Sequence, residues 1–263
     1  MDLWHLLIQF VFRVTFGVAL SMAITPARYV TSGFYRVHLW VLMGINTFAG
    51  LAIFTRQELV AQGAFSWQLL FGIAIGLTVL SYVGSVFWLY EKAEAGGLVL
   101  FVISLTSLIG AGLVTPWSEV TSGTGIILAF LDLISSGLLL GVTLSAMFLG
   151  HWYLNTPTME LLPLKRLVIF MVIAIGVRTI VSATGLILQA SSPAPLETVF
   201  WIFVSFRWLS GILGTFILAL MSWYALKVPN TQSATGILYT GVILTFLGEL
   251  TSQLLSVDTL YPI

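Results

Sequence analysis

The sequence predicts an all-α, polytopic transmembrane helix bundle of about eight spans, with both termini on the non-cytoplasmic side. Only 8% of its 263 residues are charged and 59% are hydrophobic, whereas a soluble domain carries about a quarter charged residues. Eight segments are apolar over a length that can cross a bilayer, which takes roughly 20 helical residues. The basic residues concentrate in alternate connections between these segments, and this asymmetry sets the orientation.

The predicted spans follow one another with short connections, so we expect one integral membrane domain, residues 1–263. Their predicted bounds are 3–25, 37–54, 69–90, 97–115, 126–154, 167–190, 198–226 and 236–256. All 8 prolines lie outside these bounds, as expected because proline removes a helical hydrogen-bond donor. The longest connection, 55–68, is long enough for an interfacial helix but too short for a domain.

Taken in order, the spans differ in the polar residues that interrupt them. Span 1 has Arg13 in the middle of its apolar run and lacks a basic leading region, so we expect a retained helix and not a cleaved signal. Span 2 contains His38, and spans 3 and 4 contain no charge. The last four spans each hold one charged residue well inside their bounds: Asp132, Arg178, Arg207 and Glu249.

Lysine and arginine in the connections predict which side of the membrane each connection faces. The opposite set of connections contains Arg56 alone. The four connections after spans 1, 3, 5 and 7 contain Arg28, Arg36, Lys92, Lys165, Arg166 and Lys227. We therefore expect these four connections in the cytoplasm, both termini outside, and a bacterial-type inner or cytoplasmic membrane as the location.

The five ionisable residues inside the spans form the first candidate site, which is a buried polar network or a ligand-binding site. Each costs on the order of 3 kcal/mol to insert, so each is expected to face the bundle interior and to have a partner. The members are Arg13, Asp132, Arg178, Arg207 and Glu249. Two interpretations stay open: structural ion pairs, or arginines whose planar forks bind an acidic or quinone-type ligand.

The histidines suggest a second candidate site near the cytoplasmic face. His38 begins span 2 and His151 ends span 5, so both lie at a similar depth on different helices. They are our candidate cofactor-binding residues, either as axial ligands of one b-type haem or as hydrogen-bond partners of a quinone. The alternative is a pair of interfacial histidines bonded to backbone or to lipid headgroups.

Several function classes lose their support at this stage. The sequence contains no cysteine, which excludes disulfides, iron–sulfur ligation and thiolate catalysis. It contains no Walker A, H-E-x-x-H or G-x-S-x-G pattern, so we assign no catalytic and no metal-binding residue and expect no stand-alone enzyme activity. The net charge of zero gives no indication of nucleic-acid binding. The expected partners are the lipid bilayer and other membrane subunits.

Two functions remain in view. The preferred hypothesis is a multi-pass subunit of an energy-transducing or electron-transfer complex, with a b-type haem or quinone near its cytoplasmic side. The alternative is a secondary transporter for a small anionic substrate that uses the mid-membrane arginine and glutamate residues. Transporters often have interrupted helices and inverted repeats, and neither is evident in the sequence.

Overall fold

The computed structural model describes residues 3–60, 66–115, 123–156, 158–192, 197–257, 259 and 261–263, without the side chains of residues 59 and 60. Of these described residues, 89% are helical, and they include 8 helices long and apolar enough to cross a membrane. These helices are α1 (Leu3–Ile24), α2 (Ser32–Thr55), α3 (Trp67–Leu89), α4 (Ala93–Val114), α5 (Gly123–Asn155), α6 (Leu162–Ala190), α7 (Thr198–Lys227) and α8 (Thr231–Leu255). The predicted all-helical class with eight candidate membrane spans is thereby confirmed.

The even-numbered helices begin four or five residues before their predicted starts. Each of these extra turns lies next to one of the basic connections and is polar, so hydropathy alone does not detect it. In α6 the extra turn contains Pro163, which is tolerated there because the first-turn amides lack helical partners. In α8 the side chain of Asn230 caps the helix by accepting a hydrogen bond from the Ser233 amide at 2.9 Å.

Two short helical turns lie in the connections. A 3₁₀ turn, Ala27–Tyr29, follows α1, and a single α-helical turn, Gln57–Val60, follows α2. The second falls within the connection that the sequence predicts as long enough for an interfacial helix.

The eight long helices pack as two rings of four. In the first bundle, α1 to α4, each helix contacts its two neighbours in the order α1, α2, α3, α4 and back to α1. The second bundle, α5 to α8, repeats this order of contacts. The rings are joined where α1 packs along α5, so α1 is the most enclosed helix, with 72% of its apolar window buried.

The joint between the two bundles depends on glycine. A Cβ atom at Gly17 of α1 would overlap the carbonyl of Gly137 and lie 2.8 Å from the Cα of Gly141, both on α5. Any larger residue would push the helices apart, because backbone atoms occupy the space that a side chain needs. The Gly137/Gly141 pair is thus a close-packing motif of the kind found between membrane helices.

Candidate functional site: a buried chain of charges

Five charged side chains form one continuous chain through the protein interior, hereafter the charge chain. Its order is Arg13, Asp132, Arg178, Glu249, Arg207, so that positive and negative groups alternate. Asp132 lies 2.9 Å from Arg13 and 2.5 Å from Arg178. Glu249 lies 2.9 Å from Arg178 and 3.3 Å from Arg207. No member is more than 5% exposed, and the structure brings together all five residues of the first sequence-predicted site.

The charge chain draws on every helix of the second bundle. Asp132 belongs to α5, Arg178 to α6, Arg207 to α7 and Glu249 to α8, and α1 supplies Arg13 across the joint. Each residue lies about 9–18 Å along its helix from the end on one common face, at a rise of about 1.5 Å per residue. The five side chains therefore meet at one level of the bundle, nearer to that end of the helices than to the other.

Arg178 is the centre of the charge chain, and its guanidinium is fully used. Its Nε donates to Glu249 at 2.9 Å, and its Nη1 donates to Asp132. Its Nη2 donates to the Ser252 hydroxyl at 2.8 Å, and Ser135 lies 3.4 Å from Nη1. This planar fork with all donors engaged is the arrangement in which arginine is best tolerated inside a protein.

Close helix packing brings Glu249 to the arginine of the neighbouring helix. A Cβ at Gly211 of α7 would lie 2.6 Å from the Cα of Gly248 on α8, so the two backbones touch at that point. Glu249 is the next residue along α8, and Arg207 is one turn before Gly211 on α7. The glycine contact therefore allows the short ion pair between the two helices.

The seventh helix is irregular where it carries its arginine. Residues Arg207–Gly214 have π-helical hydrogen bonding, with regular α-helix before and after. Such wide turns are rare and occur frequently at functional sites. Sequence reasoning missed this interruption because it searched the spans for proline, and α7 contains none.

The last residues of the sequence also reach the charge chain, which sequence reasoning did not predict. The carbonyl oxygen of Ile263 accepts hydrogen bonds from Arg207 Nε at 3.4 Å and from the Ser252 hydroxyl. Ile263 is fully buried. Hydropathy gave no indication of this contact, because it identifies long apolar helices and not the position of a short segment that follows the last of them.

Several polar atoms near the charge chain have no hydrogen-bond partner among the residues that the structure describes. They include Arg13 Nε, Arg207 Nη1 and both amide atoms of Gln253, which lies one turn beyond Glu249 on α8. Leaving a buried polar group unsatisfied costs about 1–3 kcal/mol, so water or a polar ligand at these atoms is favourable. Arg207 Nη2, in contrast, donates to Ser182 at 2.9 Å.

The side-chain charges of the chain do not cancel. Three arginines face two carboxylates, so the five side chains sum to one positive charge. Arg207, at one end of the charge chain, donates from Nε to the Ile263 main-chain oxygen, and its Nη1 has no partner among the described residues.

The two candidate histidines lie apart from the charge chain and have separate partners. His38 is buried on α2, where its Nδ1 donates to the Phe34 carbonyl at 2.7 Å. The centres of the Phe34 and Phe148 rings lie 4.4 Å from the imidazole centre. His151 is exposed and is hydrogen-bonded to the Tyr239 hydroxyl at 3.1 Å.

These surroundings bear on the haem hypothesis. Aromatic side chains lie beside the His38 imidazole, among them Phe148, which precedes His151 by three residues on α5. The described residues contain no group of three or more metal-ligating side chains. Haem or quinone binding at His38 and His151 stays a prediction from the sequence, and these contacts add no support to it.

Comparison with known proteins found no matching family model, no similar curated protein and no similar solved structure.

Proposed function

We propose that the protein binds a small anion at the charge chain and carries it across the membrane as a secondary transporter. The observation that supports this best is the excess of one positive side-chain charge in a fully buried chain of alternating charges. Membrane proteins place ionisable groups at this depth chiefly in substrate or ion pathways. The anion would complete the charge balance that the side chains leave open.

Arg207 is the residue proposed to bind the anion. Its Nη1 has no partner among the described residues, whereas Arg178 has every donor engaged. Arginine binds carboxylate or phosphate oxygens with a directional, charge-assisted fork. The helix that carries Arg207 widens into a π-helical turn at this residue, and such turns occur frequently at functional sites.

Glu249 is the residue proposed to couple the anion to protons. It lies between two arginines, so its protonation would add a positive charge at the place where the anion binds. In proton-coupled transport the arrival of the proton and of the substrate reinforce each other in this manner. The proposed co-substrate is therefore H⁺.

The orientation also remains a proposal: both ends outside, and the basic connections in the cytoplasm of a bacterial-type cell. Because the chain has no cysteine, a single introduced thiol reports sidedness without background. In intact cells, an impermeant thiol reagent should label Ser66→Cys, before α3, and should not label Arg166→Cys, near the start of α6. The reverse pattern would overturn the orientation.

The transport proposal is tested in liposomes that contain the purified protein, with chloride, acetate and phosphate as probe anions. We expect an inward proton gradient to drive uptake of at least one probe above the level of empty liposomes. Arg207→Gln should abolish that uptake, and the matched control Arg166→Gln, at an exposed position, should retain it. Uptake that Arg207→Gln leaves intact would refute the role of the charge chain.

A second candidate is the membrane subunit of an energy-transducing or electron-transfer complex. The observation that favours it is an apolar groove of about 620 Å³ between α6 and α7, lined by residues that include Ile175, Thr179 and Trp208. An elongated hydrophobic ligand such as a quinone would fit such a groove. Solvent extraction of the purified protein should then yield a quinone, and a quinone-free extract would refute this candidate.

A further inference from the structure

A seam of polar and small residues runs between α5 and α8, from the charge chain to the end of the second bundle where α5 finishes and α8 begins. This end is called the basic end below, because Lys165, Arg166 and Lys227 lie there. The facing pairs of the seam, in order from the charge chain, are Ser136 with Glu249, Thr143 with Gly241, and Thr235 with Gly150. The side chains of these pairs are at most 2% exposed.

Two hydroxyl groups that line the bundle interior along this seam lack a protein partner. Helical serine and threonine hydroxyls commonly donate to the carbonyl one turn back, and Ser81, Ser107 and Thr251 do so here. The hydroxyls of Thr143 and Ser222, both fully buried, have no partner among the described residues. Buried hydroxyls of this kind are normally hydrogen-bonded to ordered water.

The seam has room for water at Gly241. A Cβ built there would be in ordinary contact with Met171 at 3.6 Å and with Thr143 at 3.9 Å. At Gly17 and Gly248, in contrast, a Cβ would overlap the backbone of the neighbouring helix. Gly241 therefore leaves a gap about the size of a methyl group, which is also about the size of a water molecule, beside the side chain of Thr143.

The hydroxyl groups of the interior are spaced as a chain of bridging waters requires. Thr215 faces Thr245 with their hydroxyls 3.4 Å apart, and Ser222 lies two turns further along α7. Measured from Glu249 at a rise of about 1.5 Å per residue, the levels are about 6 Å for Thr245 and Thr215, about 12 Å for Thr143, about 16 Å for Ser222 and about 21 Å for Thr235. Two oxygens bridged by one water lie about 5–6 Å apart, because each hydrogen bond spans about 2.8 Å. One or two waters between successive levels thus form a continuous file.

We propose that a single file of water (the water file) runs along this seam and connects Glu249 with the basic end. Each hydroxyl accepts one hydrogen bond and donates another, so a proton taken up at the basic end is relayed from water to water. The last water gives a proton to the Glu249 carboxylate, which becomes a carboxylic acid, and the file itself is left unchanged. This delivery of protons rests on the proposed function, whereas the water file does not.

The charges around Glu249 leave this side open. The charged groups that face it are Arg178 of α6 and Arg207 of α7, and Asp132 of α5 lies beyond Arg178. Between the charge chain and Lys227, the stretches 133–150, 167–177, 208–226 and 231–248 contain no charged residue. A proton in the water file therefore meets no fixed charge before it reaches the charge chain.

The water file is tested with silver ions, which are small enough to follow water and bind thiols tightly, in a chain that has no cysteine. Thr245→Cys and Ser222→Cys in nanodiscs are exposed to Ag⁺, and the thiols left free are labelled with a maleimide after unfolding. Both should bind Ag⁺ at least about tenfold faster than Ser107→Cys, which is equally buried in α4 and whose hydroxyl bonds within its own helix. Ser136→Cys replaces Thr245→Cys if the latter does not fold. A thiol at 245 or 136 that reacts no faster than Ser107→Cys would refute the water file.

Gly241→Ala tests the direction of access, because its Cβ fills the gap without a clash. Thr245→Cys lies between this block and the charge chain, so its reaction with Ag⁺ should become at least about tenfold slower. Ser222→Cys lies between the block and the basic end, so its rate should not change. The matched control Gly236→Ala, at an exposed position of α8 with open space around it, should change neither rate. An unchanged rate for Thr245→Cys in Gly241→Ala would overturn the proposed route.

Anion uptake in liposomes separates this inference from the proposed function. Gly241→Ala should slow proton-driven uptake at least about fivefold, since proton relays inside membranes depend on an unbroken chain of donors and acceptors, and should leave equilibrium binding of the anion unchanged. Unchanged uptake in Gly241→Ala would refute proton delivery through the water file. The expected silver pattern in a protein that takes up no anion would support the water file and refute the transport proposal alone.

Discussion

The sharpest prediction concerns Arg178→Met, which removes the central charge of the charge chain but keeps a long apolar side chain. Arg178 is fully buried and contacts Asp132, Glu249 and Ser252. In the variant, Asp132 keeps only Arg13 and Glu249 keeps only the longer pair with Arg207, at 3.3 Å. The five-membered chain is thereby cut into two separate pairs.

The expected loss of stability follows from this geometry. Removing one partner of a buried ion pair costs about 3–5 kcal/mol, because the remaining charge is left in a medium that does not solvate it. The residual pairs of both carboxylates place the loss within that range rather than above it. With about 2–4 °C per kcal/mol for a chain of this size, we expect the melting temperature to fall by about 6–20 °C.

The assay is thermal melting of the detergent-solubilised protein, followed by fluorescence-detected size exclusion. Arg166→Met is the matched control, because it removes the same group from an exposed position, where a change is usually within about 0.5 kcal/mol. Arg178→Lys keeps the charge but loses the fork, so it should melt between the wild type and Arg178→Met. If Arg178→Met and Arg166→Met have the same melting temperature, the ion pairs of Arg178 contribute nothing to the stability of the protein, and the expected loss is refuted.

Three further predictions follow from other parts of the molecule. Gly17→Ala should lower the melting temperature by an amount equivalent to about 1–3 kcal/mol, because its Cβ would overlap the backbone of α5. Gly44→Ala, with open space around it, should leave the melting temperature unchanged. Equal melting temperatures of the two variants would contradict the close approach of α1 and α5. Glu249→Gln should leave anion binding intact but make anion uptake in liposomes independent of the proton gradient. Uptake that still depends on the gradient would exclude Glu249 as the residue that couples proton and anion. If the protein holds a b-type haem, its spectrum should show a Soret band that His38→Ala and His151→Ala each abolish; a band that survives both variants would exclude these two residues as ligands.

Hydropathy predicted the helices well because the cost of burying an unpaired backbone in lipid leaves helices as the simplest solution. All eight predicted segments are long helices, and their far ends lie close to the predicted bounds. The missed turns at Ser32, Ala93, Leu162 and Thr231 are polar extensions outside the apolar stretch. Hydropathy has no signal for a helix that continues into the interface.

The sequence predicted which residues form the candidate site but not how they pair with one another. The price of inserting a charge into a bilayer made Arg13, Asp132, Arg178, Arg207 and Glu249 stand out, since each required a partner. Which carboxylate meets which arginine depends on how five helices pack. That packing follows from side-chain volumes and glycine contacts distant in sequence, and no single span contains this information.

The sequence by itself determined that this protein has eight helices long and apolar enough to cross a membrane, and which charged residues are buried among them, because these follow from transfer free energies that act residue by residue. Only the tertiary structure decided that the charges form one alternating chain, that α7 widens into a π-helix at Arg207, and that Ile263 returns to that arginine. These features arise from contacts between distant segments, whose energies depend on geometry and not on composition.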